Sequence, residues 1–193
     1  MSGTQHGFRI QGPAAWDEIV LADDLPEHDV FCYATLAGRS EVSRATLFDL
    51  LSRSADFKAL DVNLRPPEPF GPALDGGLRR ATLVKMGMDE LQLVAAEFGL
   101  EALPGALLEA FPNIEWLSVS KGADGAELYA STGDVWRAEA PRVSVVDTVG
   151  AGDAFFAGLV DGLYRGLDGA KAFSAAQERA AATTGRRGGL PPL

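Results

Sequence analysis

Near the carboxy end, Asp147-Thr148-Val149-Gly150-Ala151-Gly152-Asp153-Ala154-Phe155-Phe156 sets two glycines and a carboxylate between an apolar run, 143–146, and a helical pattern. That pattern puts Phe155, Phe156, Leu159, Val160 and Leu163 on one face. A strand that turns into a helix here leaves several N–H groups unpaired and aims them at one spot, with the positive end of the helix dipole behind them. Glycine lets an anion approach that backbone, because no Cβ stands in the way. Asp153 then falls in the first helical turn, beside the place where an anion would lie. Three readings of the turn stand. One is a structural corner with Asp153 as a capping carboxylate. Another is a dinucleotide fingerprint begun by Gly150-Ala151-Gly152, although Phe155 occupies the place of the third glycine and mostly helical sequence follows. The last is a site for transfer of a phosphoryl group. The phosphate loop that ends in Gly-Lys-Ser/Thr is absent from the sequence.

Residues 147–155 resemble, without a gap, the second signature of the ribokinase (phosphofructokinase-B) family of carbohydrate kinases, Asp-Thr-x-Gly-Ala-Gly-Asp-Ala-Phe. The resemblance favours the third reading, since the motif sits in its expected strand–turn–helix context. It implies Asp153 as the base and the backbone of Gly150, Ala151, Gly152 and Asp153 as an anion hole for the γ-phosphoryl group of ATP. It also implies Asp147 as a ligand of a monovalent cation such as K⁺.

Four further stretches follow the family's order. Asp61-Val62-Asn63-Leu64-Arg65-Pro66 resembles its Asp-Pro-Asn-x-Arg segment in the form found in fructokinases and 2-keto-3-deoxygluconate kinases, which implies that Asn63 and Arg65 touch substrate. The plain alternative is a strand end entering a proline-rich loop. Lys85-Met86-Gly87-Met88-Asp89-Glu90 resembles Lys-x-Asn-x-x-Glu, with Gly87 in place of the asparagine; Glu90 would then help order Mg²⁺ through water and phosphate. An acidic first helical turn also follows from the helix dipole alone. The loop 118–126 resembles Thr-x-Gly-x-x-Gly, which implies Ser120, Lys121, Gly122 and Gly125 along the nucleotide's phosphates and ribose. A hairpin entry turn accounts for Asp124-Gly125 equally well, and Lys121 either reaches a phosphate or points into water. Gln177-Glu178-Arg179 and the tail from Arg186 resemble the wall of the adenine pocket, with Gln177 where an asparagine is common. An alanine-rich stretch is a good helix former in any case.

These residues need a frame, and short apolar runs alternating with amphipathic stretches predict a parallel sheet with crossover helices. Strands are expected at 30–33, 59–62, 82–85, 116–120 and 143–146, with a hairpin at 127–130 and 135–138. Helices are expected at 43–54 (capped by Ser43), 88–98, 106–111, 153–165 and 169–184. Pro66, Pro67, Pro69 and Pro72 mark a loop. The fold class expected is α/β, a three-layer αβα sandwich with a mostly parallel, ribokinase-like sheet in one domain over 1–193.

The chain has 193 residues, 47% of them apolar, which is enough for a sizeable core. A net charge of −10 argues against nucleic acid and anionic membranes as partners. Cys32, the single cysteine, is expected as a buried thiol in a strand, and a reducing cytoplasm as the compartment. His6 and His28 are expected at the surface, and no apolar stretch approaches a membrane span. The family pattern is joined in mid-fold near Phe8-Arg9-Ile10. By the resemblance, about a third more fold, with the first signature and the β-lid, would precede it. Two expectations follow: an open sheet edge that favours self-association into a homo-oligomer, and a sugar and ATP as small-molecule partners. The rivals are a non-catalytic nucleotide-binding remnant acting as an assembly module, and a dinucleotide-dependent oxidoreductase.

Overall fold

The structure, a computed structural model, describes residues 13–22, 24–53, 56–64, 71–140, 146–185 and 187–188. The order of elements is β1 (Val30–Ala34), α1 (Glu41–Arg53), β2 (Phe57–Asp61), α2 (Gly71–Leu78), β3 (Leu83–Gly87), α3 (Met88–Phe98), α4 (Pro104–Ala110), β4 (Trp116–Ser120), β5 (Ala126–Ala130), β6 (Val135–Ala138), α5 (Ala151–Tyr164) and α6 (Gly169–Thr184). The six strands form one sheet in sequence order. Strands β1 to β4 pair in parallel, and β5 and β6 extend the sheet antiparallel.

Right-handed crossovers that keep stepping in one direction lay their helices on one face of a sheet. Accordingly Leu47 and Leu51 of α1, Leu74 and Leu78 of α2, Leu91 and Val94 of α3 and Leu107 of α4 share one core with Leu60, Val84 and Leu117 of the strands. The opposite face carries Ala59, Leu83 and Leu128 against Phe155, Leu159, Leu163, Phe173 and Ala176 of α5 and α6. Alternation along each strand feeds both cores, as a sheet covered on both faces requires. The result is the three-layer α/β sandwich that the sequence predicts.

Several expectations need correction. Helix α1 begins at Glu41 and is capped by Ser40, whose Oγ accepts from Ser43 N at 3.2 Å; Ser43 is buried and its Oγ accepts from Ile19 N at 2.8 Å. The proline-rich loop gives way to α2, with Pro72 in its first turn, where a missing N–H costs nothing. Cys32 is exposed rather than buried. Helix α5 lies against β2 and α6 against β5 and β6, and on that face of the edge strand β1 Val30 is partly buried against their core while Cys32 is exposed. His28 is half-buried, with its ring 5.7 Å from that of Phe31. The strand expected at 143–146 lies outside the described residues except for Val146, which sits in a bend, and the proline-rich residues 65–70, including Arg65, also lie outside them. So do His6, Arg186 and the tail beyond Gly188. Among the described residues no helix is long and apolar enough to cross a membrane.

Candidate active site

A parallel strand delivers its last residues to the carboxyl edge of the sheet, where ligands of open α/β sheets collect. Here that edge receives Asp61 and Asn63 from β2, Lys85 and Gly87 from β3, and Ser120 and Lys121 from β4. Helix α5 begins beside them. Gly150 caps it at φ 78°, the left-handed region that glycine occupies without a steric penalty. Ala151 N closes the turn onto Thr148 O at 3.2 Å, and the first helical bond runs from Ala154 N to Gly150 O at 2.8 Å. The N–H groups of Gly152 and Asp153 precede that bond, so the helix itself gives them no acceptor. Both residues are exposed, Asp153 in the first turn.

The base of the turn is tied down from behind. Asp147 accepts from Val149 N and Gly188 N, each at 3.0 Å. These amides, helped by that of Thr148 and the charge of Arg187, hold the Asp147 carboxyl below the usual carboxylate range. The end of α6 adds Thr184 O, which accepts from Val146 N at 3.0 Å and Asp147 N at 3.2 Å. The turn is thus anchored to α6 and the tail.

Glu90 does a similar job on the other side. Its Oε1 accepts from Leu64 N and its Oε2 from Gly87 N, both at 2.7 Å, so one carboxylate joins the ends of β2 and β3. Between those ends Asn63 has φ 42°, the one described non-glycine residue in left-handed conformation. Below the turn, Lys85 Nζ donates to Asp61 Oδ1 at 3.0 Å and Oδ2 at 2.9 Å, and both side chains are nearly buried. Burial pushes the Asp61 carboxyl up, Lys85 pulls it down, and Glu90 and Asp153 push it up again. The net effect holds the Asp61 carboxyl above its ordinary value.

Between the ends of β3 and β4 an open cleft of about 660 Å³ is lined by Gly87, Met88, Asp89, Glu90, Ser120, Lys121, Gly122 and Asp124. Ser120 Oγ is loosely held, donating to Met86 O at 3.4 Å. The model of the pfkB family carbohydrate kinases matches residues 5–193. The chain belongs to that family.

A fructokinase of Klebsiella pneumoniae is 32% identical over 138 residues, covering 67% of this chain and 44% of the fructokinase. Among solved structures, aminoimidazole riboside kinase of Salmonella enterica, complexed with aminoimidazole riboside and an ATP analog, is 26% identical with a TM-score of 0.67, over 85% of this chain and 60% of that one. A sugar kinase of Pyrococcus horikoshii in complex with ATP is 26% identical with a TM-score of 0.70, over 84% of this chain and 54% of that one. The chain thus spans about half the length of these pfkB relatives.

The pfkB motifs quoted from the sequence do not all behave alike in the fold. Gly150, Ala151, Gly152, Asp153, Asn63, Glu90, Ser120 and Gly122 gather at the carboxyl edge. Lys121 lines the cleft, with its side chain partly exposed. Its ammonium pairs with Glu127 Oε1 at 2.8 Å, alongside Arg137 and the Tyr129 hydroxyl. Burial raises the Glu127 carboxyl, and these three donors together bring it below the ordinary range. Gly125 has a reason of its own, since a Cβ there would fall 2.0 Å from Ala138 O. Gln177 is half-buried on α6, seven residues before the Thr184 carbonyl that anchors the turn. The sequence reasoning gave Asp61 and Lys85 no task of their own. Their signal was a charged residue at the end of β2 and another midway along β3, each beside apolar neighbours.

Proposed function

We propose that this chain carries the nucleotide-binding and catalytic portion, one domain over 1–193, of an ATP-dependent sugar kinase. The observation that carries this reading is the first turn of α5. Two unpaired N–H groups and an exposed carboxylate lie side by side at the positive end of a helix, on the carboxyl edge of the sheet. The ATP complex of the Pyrococcus relative supports ATP as the donor. The fructokinase relative and the Asn63-Leu64-Arg65-Pro66 segment support fructose or a keto-sugar acid as acceptor.

In this reading the substrate hydroxyl lies against Asp153. Its oxygen attacks the γ-phosphorus, the bond from that phosphorus to the β–γ bridging oxygen breaks, ADP leaves, and the hydroxyl proton passes to the Asp153 carboxylate. The backbone of Gly150, Ala151, Gly152 and Asp153 meets the charge that gathers on the phosphoryl oxygens. Asn63 and Arg65 orient the sugar, while Ser120, Lys121, Gly122, Gly125 and Gln177 line the nucleotide.

Among the described residues no group of three or more His, Cys, Asp or Glu is arranged to hold a metal ion. Mg²⁺ commonly keeps its waters and is held by phosphates with one or two carboxylates. Glu90, fixed by two backbone amides, is the residue to meet those waters; the ion supplies charge neutralisation between the phosphates when bound. Asp147 is the candidate K⁺ ligand, its carboxylate already oriented by Val149 and Gly188. The lone cysteine supports a cytoplasmic setting, and the one-sided edge of β1 supports self-association.

Asp153→Asn is expected to abolish sugar-dependent ADP release, a loss of about 10²–10⁴ in rate, while ATP binding by calorimetry persists. Turnover retained in that variant would remove Asp153 as the base.

A further inference from the structure

Asn63 carries a conformation that few side chains accept. Its φ of 42° lies in the left-handed region, where it is the one described non-glycine residue, and asparagine is among the few side chains that visit it. Strain of this kind persists where the surroundings fix it from more than one side, and it gathers at binding sites. Asn63 itself is half-buried, whereas its neighbours Val62 and Leu64 are buried, at 0% and 5% exposure.

Two peptide groups meet at Asn63, one shared with Val62 and one with Leu64, and the two torsions of the residue set the angle between them. Each group is held by a side chain from another element. Thr35 follows β1, and since Ala34 lies opposite Asp61 in register, Thr35 comes level with Val62. Its Oγ1 donates to Val62 O at 2.5 Å, while Val62 N donates to Lys85 O at 3.0 Å and prolongs the parallel ladder. On the other side Leu64 N donates to Glu90 Oε1 at 2.7 Å, and Glu90 Oε2 is itself held by Gly87 N at 2.7 Å. One hydroxyl thus fixes the first peptide plane and one carboxylate the second.

Thr35 is 4% exposed. A hydroxyl so deeply buried has to find a partner, and a valine of the same shape would need none. Any nearby carbonyl would satisfy it; the one it takes belongs to the peptide about which the φ of Asn63 turns. The β-branch of threonine also leaves χ1 little freedom, so the donor is fixed as well as paired.

We infer that Thr35 is a positioning residue for the acceptor sugar, which with Glu90 locks Asn63 in the left-handed conformation from which it meets that sugar. This rests on the reading of Asn63 as a sugar contact. Thr35 is buried and acts through Asn63, so its loss raises the KM for sugar and leaves the nucleotide side alone. A merely structural role would instead lower the folded, active fraction, and so kcat, with the KM values unmoved.

The experiment is steady-state ADP release by the full chain with fructose and ATP, with ATP binding followed by calorimetry. Thr35→Val keeps the side-chain shape and loses the donor. It is expected to raise the KM for fructose about tenfold, the scale of one lost hydrogen bond and the unmet carbonyl it leaves, with ATP affinity unchanged. Thr35→Ser should restore most of the loss. In an Asn63→Gly chain, which has no side chain left to position, Thr35→Val should add nothing further. Thr35→Ala carries the same expectation if the valine variant does not fold. An unchanged KM for fructose, or an equal loss in ATP affinity, overturns the role of Thr35 and leaves the sugar-kinase reading intact. A wild-type chain that binds ATP yet releases no ADP on adding fructose overturns fructose as acceptor, and this inference with it.

Discussion

Glu90 and Asp147 each accept from one backbone amide close in sequence and, on the other carboxylate oxygen, from one distant in sequence. In doing so they fix the two sides of the carboxyl edge, whatever else they bind. Asp17 shows the same economy away from the site. Arg39 Nε meets its Oδ1 at 2.6 Å and Nη2 its Oδ2 at 2.5 Å, and Ala14 N adds a bond at 2.8 Å. The Arg39 hydrogen bond is the main reason its carboxyl falls from 3.8 to about 2. A carboxyl depressed on folding stabilises the folded state above the unfolded value and ceases to do so as pH falls through the folded one. Asp17→Asn should therefore unfold at a lower urea concentration than wild type at neutral pH. The gap should narrow as pH drops from 3.8 and close near pH about 2. A gap that stays constant over that window would exclude the charged pair as its cause.

At the scale of elements, the start of α5 is only as well placed as α5 itself. That helix lies on α6 through small residues: a Cβ on Gly158 would fall 2.6 Å from Ala176 Cα, and one on Gly162 would fall 2.9 Å from Ala172 Cβ. Close approach of two backbones is what glycine permits here, and the obstacle at Gly158 is main chain, which cannot rotate away. Gly158→Ala should lower stability by about 1–3 kcal/mol in urea titration, despite the gain in helix propensity of about 1 kcal/mol. It should also weaken ATP binding by moving the turn. Unchanged stability would mean that α6 shifts freely.

For the whole molecule, the sheet has unequal ends. Strand β6, the outer half of a hairpin, and β1 are both edge strands, but β1 pairs in parallel with β2 and, among the described residues, with nothing on its outer side. Unpaired strand edges recruit further strands. Sedimentation velocity over a rising concentration series should therefore show this chain moving from smaller to larger species. Aspartate or lysine in place of Phe31 or Cys32 should not shift the species if they associate through another surface. A single monomer at every concentration would dismiss the edge as an interface.

The elements legible in the sequence were those whose signals are local. Met88–Phe98, Trp116–Ser120 and Gly169–Thr184 fall where periodicity, the αL glycine at Gly99 and the Asp168 cap put them, because each signal acts within a few residues. Helix α2 was hidden because Gly76 and Gly77 weaken any local helix; they are there to pass Phe48 and Tyr33, which lie far away in sequence. Cys32 followed the rule for a strand thiol but is exposed, because how far a helix covers a strand depends on where α5 and α6 dock. By itself the sequence determined the glycine turn, its carboxylate and the helix that follows them, since chain neighbours alone set these. Only the tertiary structure decided that Asp61, Lys85 and Ser118 share one row beneath that turn, that Lys121 turns to Glu127, and that Glu90 bridges two strands. Those pairings follow from the register between strands, which no short stretch of chain encodes.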